Sequence, residues 1–435
     1  MQYFSTNRRS PHATFREATL NGQPDDRGLY FPGSIPKISN EFWDSFETMS
    51  RGEIAFEIIR PYMGGEIADQ SLRTICDETV NFEFPLVRIN ERISTLELFH
   101  GATLAFKDVG ARFMSRCLRE FSSGNSGRTA VVVATSGDTG GAVANGFFGV
   151  EGVDVVILFP KGKVSRVQEL QLTTLGQNIH AFEVTGDFDA CQTLAKTALA
   201  DPELKSKMFL TSANSINIAR WLPQQFYYFF AYRDWLRAGH DKPPVVCVPS
   251  GNFGNICAGI LAHISGLPVA HFIAACNAND VIPRFLESGE MIEKKAVATL
   301  SNAMDVANPS NFVRILEMFD RDHVRLRDLM SSVSVSDETT SATMREVFEK
   351  FGYILDPHGA VGYRALADYL GGHADAAGYF LETAHPVKFD SVLDITGTFG
   401  EIPESVAELE SRPKRSEVIP PDYEAVRDAI TRLIR

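Results

Sequence analysis

A lysine in an apolar segment is the residue of this sequence best suited to covalent chemistry. Lys107 follows Leu104, Ala105 and Phe106 and precedes Asp108 at the start of a predicted helix. An ammonium group in apolar surroundings loses hydration, so its pKa falls and the neutral amine becomes accessible. A neutral amine attacks an aldehyde and forms an imine with it. Because most such lysines only extend their charged end to water past a buried stem, the neighbouring segments must decide the role of Lys107.

Two glycine-rich segments follow predicted strands and open predicted helices. The first is ATSGDTGGAVA (134–144), and the second is VPSGNFGNICAG (248–259). Glycine lets backbone N–H groups approach a ligand closely, and a helix N-terminus adds partial positive charge, so each segment suits an anion. A strand-to-helix turn capped by serine or asparagine explains either segment alone equally well. Neither is a P-loop, because no GKS or GKT follows, and neither has clean GxGxxG spacing.

Together, the lysine and the two segments match the needs of one cofactor. Pyridoxal 5'-phosphate carries an aldehyde and a phosphate, and its amino-acid substrates bring a carboxylate. One lysine and two anion sites would bind these three groups. The sequence therefore predicts a pyridoxal 5'-phosphate enzyme.

Six segments, in this order, carry a resemblance to a known family. They are FHGATLAFKD (99–108), ATSGDTGG (134–141), SANSINIAR (212–220), VPSGNFGN (248–255), LSNAMDVANPSN (300–311) and ETAHPVKF (382–389). The chain resembles the threonine synthases, pyridoxal-phosphate enzymes of fold type II, in their long bacterial and fungal form with an N-terminal domain. The opening residues 3–32 resemble the N-terminal signature of that form, so the resemblance covers nearly the whole chain.

The resemblance implies a role for each group of site residues. Lys107 would be the catalytic residue that binds the cofactor covalently and moves protons on the substrate. The cofactor phosphate would lie on the main chain of Gly251, Asn252, Phe253, Gly254 and Asn255, and Thr383 would meet the pyridine nitrogen. The substrate carboxylate would lie on Ser136, Gly137, Asp138 and Thr139, and its phosphate on Asn214, Ser215, Asn217 and Arg220. No metal is implied.

Some positions stay open or depart from the family pattern. Lys161 and Lys163 either approach the substrate phosphate or form a solvated turn. Ala102 stands where the family has proline, and Asn255 where it commonly has aspartate. Asp138 stands where many other fold-type II enzymes have asparagine near the cofactor O3', so the residue contacting O3' stays open.

The implied activity is that of a lyase acting on a phosphorylated amino acid. It would convert O-phospho-L-homoserine and water to L-threonine and inorganic phosphate, a step of threonine biosynthesis. One alternative is another fold-type II lyase, either a threonine or serine dehydratase or a phosphohomoserine phospholyase. Another is a non-catalytic nucleotide-binding α/β protein, since two glycine-rich loops also suit that role.

Composition describes an ordinary globular protein and limits its partners. The chain has 435 residues, 44% of them hydrophobic, and a net charge of −13, which argues against a nucleic-acid partner. Its six cysteines are scattered, which favours reduced thiols in the cytoplasm and no structural zinc. No signal peptide and no membrane span is recognised. A monomer or a weak dimer is expected, without a choice between them.

Alternating strands and helices from about residue 128 predict an α/β fold with largely parallel sheets. Strands are predicted at 129–134, 153–159, 179–184, 244–248 and 269–275. Helices are predicted between them, at 140–149, 165–175, 187–200, 215–237 and 254–265. We expect an N-terminal domain at 1–95 and a catalytic region at 96–435 with a smaller α/β subdomain at about 110–185. Two parallel-sheet domains plus the N-terminal domain is the architecture that the resemblance implies. A closing helix is expected at 421–434, with Val426, Ile430, Leu433 and Ile434 on one stripe.

Overall fold

A computed structural model describes residues 1–122, 128–292 and 294–433. Its strands are β1 (Tyr3–Ser5), β2 (Tyr30–Pro32), β3 (Leu86–Arg88), β4 (Ile93–Glu97), β5 (Thr129–Ala134), β6 (Val153–Pro160), β7 (Ile179–Val184), β8 (Phe209–Ser212), β9 (Val245–Pro249), β10 (His271–Cys276), β11 (Met330–Ser334), β12 (Gly378–Glu382) and β13 (Ser416–Ile419). Its α-helices are α1 (Phe15–Asn21), α2 (Asn40–Ser45), α3 (Arg51–Ile59), α4 (Asp69–Thr79), α5 (Lys107–Ser122), α6 (Asp138–Phe147), α7 (Arg166–Thr173), α8 (Phe188–Ala200), α9 (Pro202–Lys207), α10 (Ile218–Trp221), α11 (Phe226–Arg237), α12 (Gly254–Ser265), α13 (Val281–Ser288), α14 (Phe312–Met318), α15 (His323–Leu329), α16 (Asp337–Phe351), α17 (Pro357–Gly371), α18 (Asp390–Thr396), α19 (Glu404–Ser411) and α20 (Tyr423–Arg432).

The larger sheet has six strands in the order β11–β10–β9–β12–β4–β3. All neighbouring pairs are parallel except β3 with β4, which closes one edge as an antiparallel pair. The late strand β12 lies between β9 and β4 and is completely buried. Strands that are buried on both faces consist of short runs of apolar residues in the sequence. This pattern is expected of a parallel sheet covered by helices on both faces.

The smaller sheet has five parallel strands in the order β13–β7–β6–β5–β8. Its central strands β5 and β6 are buried along their whole length. The C-terminal segment returns to this sheet, because β13 pairs with β7 and α20 packs its Val426 and Ile430 into the same core. Ile434 of the predicted apolar stripe lies outside the described residues.

The N-terminal residues form a small helical layer against the catalytic region. The β1–β2 pair is antiparallel, and α1 begins at a capping box formed by Thr14 and Glu17. The guanidinium of the fully buried Arg314 donates to the carbonyl of Tyr30 at 3.0 and 3.1 Å, which ties this layer to α14. The proposed boundary near residue 95 stays a prediction, and β4, at its edge, is part of the six-stranded sheet.

The five predicted strands are confirmed to within two residues at either end. The architecture of two parallel-sheet domains with an N-terminal domain is also confirmed. The predicted helix at 215–237 is wrong as one element, because Pro223 interrupts it and α10 and α11 are separated by a short 3-10 turn. Within the ranges described, no helix combines the length and the apolar character needed to cross a membrane.

Candidate active site

The predicted site residues follow the carboxyl ends of parallel strands in both sheets. Lys107 comes after β4, the glycine-rich loop at 250–253 after β9, and Thr383 directly after β12. The loop at 135–137 follows β5 of the smaller sheet, and the segment at 213–217 follows β8. Ligands bind at this edge of parallel α/β sheets. Side-chain contacts between the two sheets, described below, bring these loops into one site.

Lys107 is the first residue of α5 and is held in place by the chain that follows β12. The N–H of Phe106 donates to the carbonyl of Thr383 at 2.9 Å, and Ala105 forms an antiparallel bridge with Ala384. The lysine side chain is 16% exposed. Burial lowers the pKa of Lys107 from its usual value, although the charge of the nearby Asp138 opposes this shift.

Asp138 lies between two lysines at the centre of the site. Its Oδ2 is 3.1 Å from Nζ of Lys107, and its Oδ1 is 2.8 Å from Nζ of Lys388. Gln168 also donates to Oδ1 at 2.9 Å, and Lys388 donates to the carbonyl of Thr103 at 2.8 Å. Burial alone would raise the pKa of Asp138, but the two lysine charges and these hydrogen bonds hold it well below its usual range. The carboxylate is therefore ionised and fully engaged with cations.

The loop after β5 offers backbone donors rather than side chains. The hydroxyl of Thr135 accepts from the N–H groups of Gly137 and Gly140, each at 2.9 Å. The N–H groups of Ser136, Asp138 and Thr139 have no acceptor among the described residues. Because α6 begins here, these free donors lie at the positive end of a helix and suit a carboxylate.

The loop after β9 forms a second, larger group of free donors. From Gly251 to Asn255, five successive backbone N–H groups have no acceptor within the described ranges. Phe253 is left-handed (φ 60°), which turns the chain into α12 immediately before Gly254. A methyl group on Gly251 would lie 2.7 Å from the Cα of Met304, so this position has no room for a side chain. A turn of successive N–H groups opening a helix is typical of phosphate sites.

The side chain of Asn255 adds a further free donor. Its Oδ1 accepts from the hydroxyls of Tyr227 and Tyr228, both at 2.7 Å. Its buried Nδ2 has no partner among the described residues. A buried unpaired amide costs free energy unless a ligand satisfies it, which is consistent with an anion at this loop.

The segment after β8 lies directly against this loop. The amide Nδ2 of Asn252 donates to the hydroxyl of Ser215 at 2.6 Å, and its Oδ1 accepts from the N–H of Ser310 at 2.6 Å. Asn214 and Ser215 are both partly exposed. The predicted substrate-phosphate residues thus adjoin the predicted cofactor-phosphate loop.

Asn217 has a structural role in the described chain. Its Oδ1 accepts from the N–H of Ala219 and begins α10, while its Nδ2 donates to the carbonyls of Thr19 and Ser212. The side chain is completely buried. Any contact of Asn217 with a ligand would therefore require it to give up one of these bonds.

Arg220 lies buried beside the start of α5. Its Nη1 donates to the carbonyl of Ala213, and its buried Nε has no partner within the described residues. Burial lowers the pKa of Arg220 to about 10, with the charge of Asp108 opposing the shift, so the guanidinium stays charged at neutral pH. Its charge also acts on Lys107 and helps to lower the pKa of that lysine. A buried, charged guanidinium whose Nε has no partner among the described residues suits an anionic substrate group.

Two residues that contribute to the site, Lys388 and Gln168, were not predicted from the sequence. Lys388 lies in the quoted segment ETAHPVKF, between Val387 and Phe389, and this apolar setting is the same signal that identified Lys107. Gln168 offered no comparable signal, because it reaches Asp138 only through the packing of α7 on α6. Lys161 and Lys163 are exposed, and neither forms a hydrogen bond with a site residue in the described chain, so their role stays open.

The architecture and this site define a class of enzyme. The sequence profile of the family "Pyridoxal-phosphate dependent enzyme" matches residues 88–377. The profile "Threonine synthase N terminus" matches residues 2–80, and "Threonine synthase, C-terminal" matches residues 359–430. The class is therefore the pyridoxal-phosphate enzymes of fold type II, as predicted.

Individual relatives narrow the class to one family. Threonine synthase of Serratia marcescens is 43% identical over 98% of both chains. The crystal structure of threonine synthase from Escherichia coli superposes with a TM-score of 0.91 at 42% identity, covering 100% of both chains. A pyridoxal-phosphate-bound threonine synthase of Brucella melitensis superposes with a TM-score of 0.93 at 35% identity, again over 100% of both. The chain belongs to the threonine synthase family.

Proposed function

We propose that this enzyme converts O-phospho-L-homoserine and water to L-threonine and inorganic phosphate, with Lys107 as the catalytic residue. The observation that carries the proposal is the position of Lys107 and its lowered pKa. The same site holds two groups of free backbone donors and the charged guanidinium of Arg220, whose Nε has no partner among the described residues. The amine of Lys107 matches the cofactor aldehyde. The three anion-binding elements match the cofactor phosphate, the substrate carboxylate and the substrate phosphate.

The residues present fit pyridoxal 5'-phosphate. Gly251 to Asn255 would hold its phosphate through the five free N–H groups, with the unpaired Nδ2 of Asn255 at the same helix start. Lys107 would supply the amine for its aldehyde. The hydroxyl of Thr383 has no partner among the described residues and would meet the pyridine nitrogen. A hydroxyl partner leaves that nitrogen largely unprotonated, so the bound cofactor withdraws electrons from the substrate carbons more mildly than with an aspartate partner.

Each protein group then has a defined task in the reaction. The free N–H groups of Ser136, Asp138 and Thr139 would orient the substrate carboxylate at the start of α6. Arg220, with Asn214 and Ser215, would hold the phosphate that leaves. Nζ of Lys107 would accept protons from the substrate Cα and Cβ as the phosphate leaves Cγ, and would return them to Cγ and Cα. The hydroxyl of water adds at Cβ, and its proton goes to the released phosphate. Closure of the loops over the substrate would exclude bulk water from the reacting carbons.

The side-chain carboxylate of Asp138 would act on the two lysines, whereas only the backbone N–H of this residue would contact the substrate. Its carboxylate has two cationic partners, Lys107 and Lys388. When Lys107 moves to the cofactor, Lys388 would remain as the counter-ion that keeps Asp138 ionised. The carboxylate would thus stay stable in a buried site throughout the reaction.

Product analysis tests the reaction. Purified protein with pyridoxal phosphate and O-phospho-L-homoserine should release inorganic phosphate and L-threonine in equal amounts. Phosphate release accompanied by 2-oxobutyrate would instead identify a phospholyase. Turnover of threonine or serine without a phosphate group would identify a dehydratase, and absence of the visible absorption of a lysine-bound cofactor would favour a nucleotide-binding protein.

We infer that the enzyme works in the cytoplasm. All six cysteines are free and buried, which is typical of proteins from reducing compartments. The expected oligomeric state, a monomer or a weak dimer, stays a prediction that sedimentation of the purified protein can test.

A further inference from the structure

Two carboxyl groups are completely buried directly behind Thr383. Glu382 is the last residue of β12, and Asp356 caps the start of α17; both are 0% exposed. Oε1 of Glu382 accepts from the N–H of Asp356 at 2.6 Å. Oδ1 of Asp356 accepts from Nδ1 of His358 at 2.6 Å. The remaining oxygens, Oε2 of Glu382 and Oδ2 of Asp356, have no partner among the described residues.

The surroundings supply no other partner for these two oxygens. Within the described chain, neither carboxyl forms an ion pair with lysine or arginine, and the recorded contact of Asp356 is with His358. The hydroxyl of Tyr353, which faces the pair, donates to Oε1 of Glu97 at 2.8 Å. Glu97 lies opposite Glu382 on β4. Glu97 adds negative charge, and neither of these two neighbours is a cation. Two buried carboxylates without cations would be very costly.

The two carboxyl groups adjoin, because the N–H of Asp356 donates to Oε1 of Glu382, and each group keeps one buried oxygen without a partner among the described residues. Burial raises the pKa of Glu382 well above its usual range, and the charge of Asp356 raises it further. Oε2 of Glu382 is also pressed against α17, because a methyl group on Gly359 would lie 1.6 Å from it. A water molecule therefore has no room on that side, and a proton is the partner that satisfies both oxygens.

We propose that Glu382 is a neutral carboxylic acid that donates its proton to Oδ2 of Asp356, and that this pair positions both ends of the cofactor pocket. At one end, Glu382 precedes Thr383. At the other, Asp356 fixes the proton of His358 on Nδ1, so Nε2 accepts from the N–H of Ala303 at 3.2 Å. Ala303 belongs to the loop that packs on Gly251.

The shared proton does not depend on the enzyme's reaction, whereas the positioning role rests on the proposed function. Through one proton, the end of β12 and the loop at 301–305 become parts of a single hydrogen-bonded unit. Thr383, which would meet the pyridine nitrogen, and the loop at 301–305, which packs on the phosphate-binding Gly251, would then keep a fixed separation. His385 and Glu97 face the same cluster: the charge of Glu97 acts on Glu382, and the charge of Asp356 acts on His385.

Infrared spectroscopy of the cofactor-free protein tests the shared proton. At about pH 8, carboxyl groups with ordinary pKa values are ionised. Burial also raises the pKa of Asp108, so the signal of the shared proton is the part of the carboxylic-acid carbonyl band that depends on Glu382. We expect this band in the wild type and in Glu97→Gln, the matched control from the neighbouring strand. We expect its loss in Glu382→Gln. A wild type without the band, or a Glu382→Gln protein that keeps it, would overturn the proposal.

A second variant covers the case in which Glu382→Gln does not fold. In Asp356→Asn, burial still keeps Glu382 neutral, and its proton is donated to an amide oxygen instead of a carboxylate. The band should therefore persist but move in frequency, because an amide oxygen is a weaker acceptor than a carboxylate. A band at the wild-type frequency would place the acceptor of the proton elsewhere and would equally overturn the proposal.

Cofactor binding tests the positioning role separately. Glu382→Gln keeps a donor towards Asp356, so its pyridoxal phosphate affinity should stay within about twofold of the wild type. Glu382→Met removes the donor at similar volume, and its affinity should fall at least about tenfold, the effect of one lost buried hydrogen bond. Equal affinities of the two variants would overturn the positioning role while leaving the infrared result and the reaction assay unaffected.

Discussion

Nζ of Lys388 lies 2.8 Å from the carboxylate of Asp138, on the side opposite to Lys107. Lys388 is completely buried, and Asp138 is 5% exposed. One carboxylate is thus shared by two lysines, of which one is proposed to bind the cofactor. This arrangement makes the charge state of Lys107 depend on Asp138, and the stability of Asp138 depend on Lys388.

Replacing Asp138 should make Lys107 easier to deprotonate. In Asp138→Asn the anion that favours charged Lys107 is absent, so the pKa of Lys107 should fall further. The pH of half-maximal rate for capture of pyridoxal phosphate by the cofactor-free protein should therefore move down. Asp154→Asn, on β6 beside His180, is a control that should leave the pH profile unchanged. An upward shift in Asp138→Asn would contradict the assigned electrostatics.

Replacing Lys388 should destabilise the fold, because the buried carboxylate of Asp138 loses one of its two cationic partners. Lys388→Met leaves Asp138 with one cation instead of two, and removing one partner of a buried pair costs about 3–5 kcal/mol. Urea unfolding should show this loss. The double variant Lys388→Met/Asp138→Asn removes both charges and should recover most of it. A double variant less stable than the sum of the two single changes would refute the pairing.

Arg220 should determine affinity for the phosphate group of the substrate. In Arg220→Lys the charge is kept, but the planar fork is lost, so the KM for O-phospho-L-homoserine should rise about tenfold to a hundredfold. The inhibition constant of inorganic phosphate should rise by a similar factor. An unchanged KM together with a reduced kcat would show instead that Arg220 acts on Lys107 rather than on the substrate.

Gly251 should be required for cofactor binding because of its close approach to Met304. In Gly251→Ala the new methyl group would lie 2.7 Å from backbone atoms, and the loop must shift by a costly displacement. The dissociation constant of pyridoxal phosphate should rise about tenfold or more. Gly254→Ala is the matched control, because its methyl group would meet only the side chain of Asn311 at 3.2 Å. Equal effects of the two changes would argue against a steric origin.

Asp26 should make the N-terminal layer sensitive to acid. Its carboxylate accepts from the hydroxyl of Ser5 and from three backbone N–H groups, and these bonds outweigh burial and lower its pKa to about 2. Because the pKa of Asp26 is lower in the folded protein than in the unfolded chain, where it is about 3.9, its ionised carboxylate stabilises the fold at pH values above about 3.9. This contribution is lost as the pH falls towards about 2.

The measurement compares unfolding of the wild type and Asp26→Asn by urea at several pH values. The wild type should be more stable near neutral pH, and the difference should shrink as the pH falls from about 4 towards 2. Asp25→Asn, at the exposed neighbouring position, serves as the control. A difference that is constant with pH would contradict the assigned pKa of Asp26.

Much of the site was predictable because its signals are local. Glycine-rich turns after apolar strands, and a lysine between apolar residues, are determined by a few neighbouring positions. Parts of the site that depend on distant packing were not predictable in the same way. The side chain of Asn217 looks like a ligand-binding residue in the sequence, yet it caps α10 and binds the carbonyl of Thr19, 198 residues away.

By itself, the sequence determined the α/β class, the strands β5, β6 and β7 of the smaller sheet and the family, and it singled out Lys107 as the proposed catalytic residue. Only the tertiary structure decided that β12 lies between β9 and β4, because pairing with β4 joins segments far apart in the chain and leaves no local pattern. That insertion places Thr383 beside Lys107 and Lys388 against Asp138. The charge balance of the site therefore arises from long-range packing, since burial and distance set the strength of each ion pair.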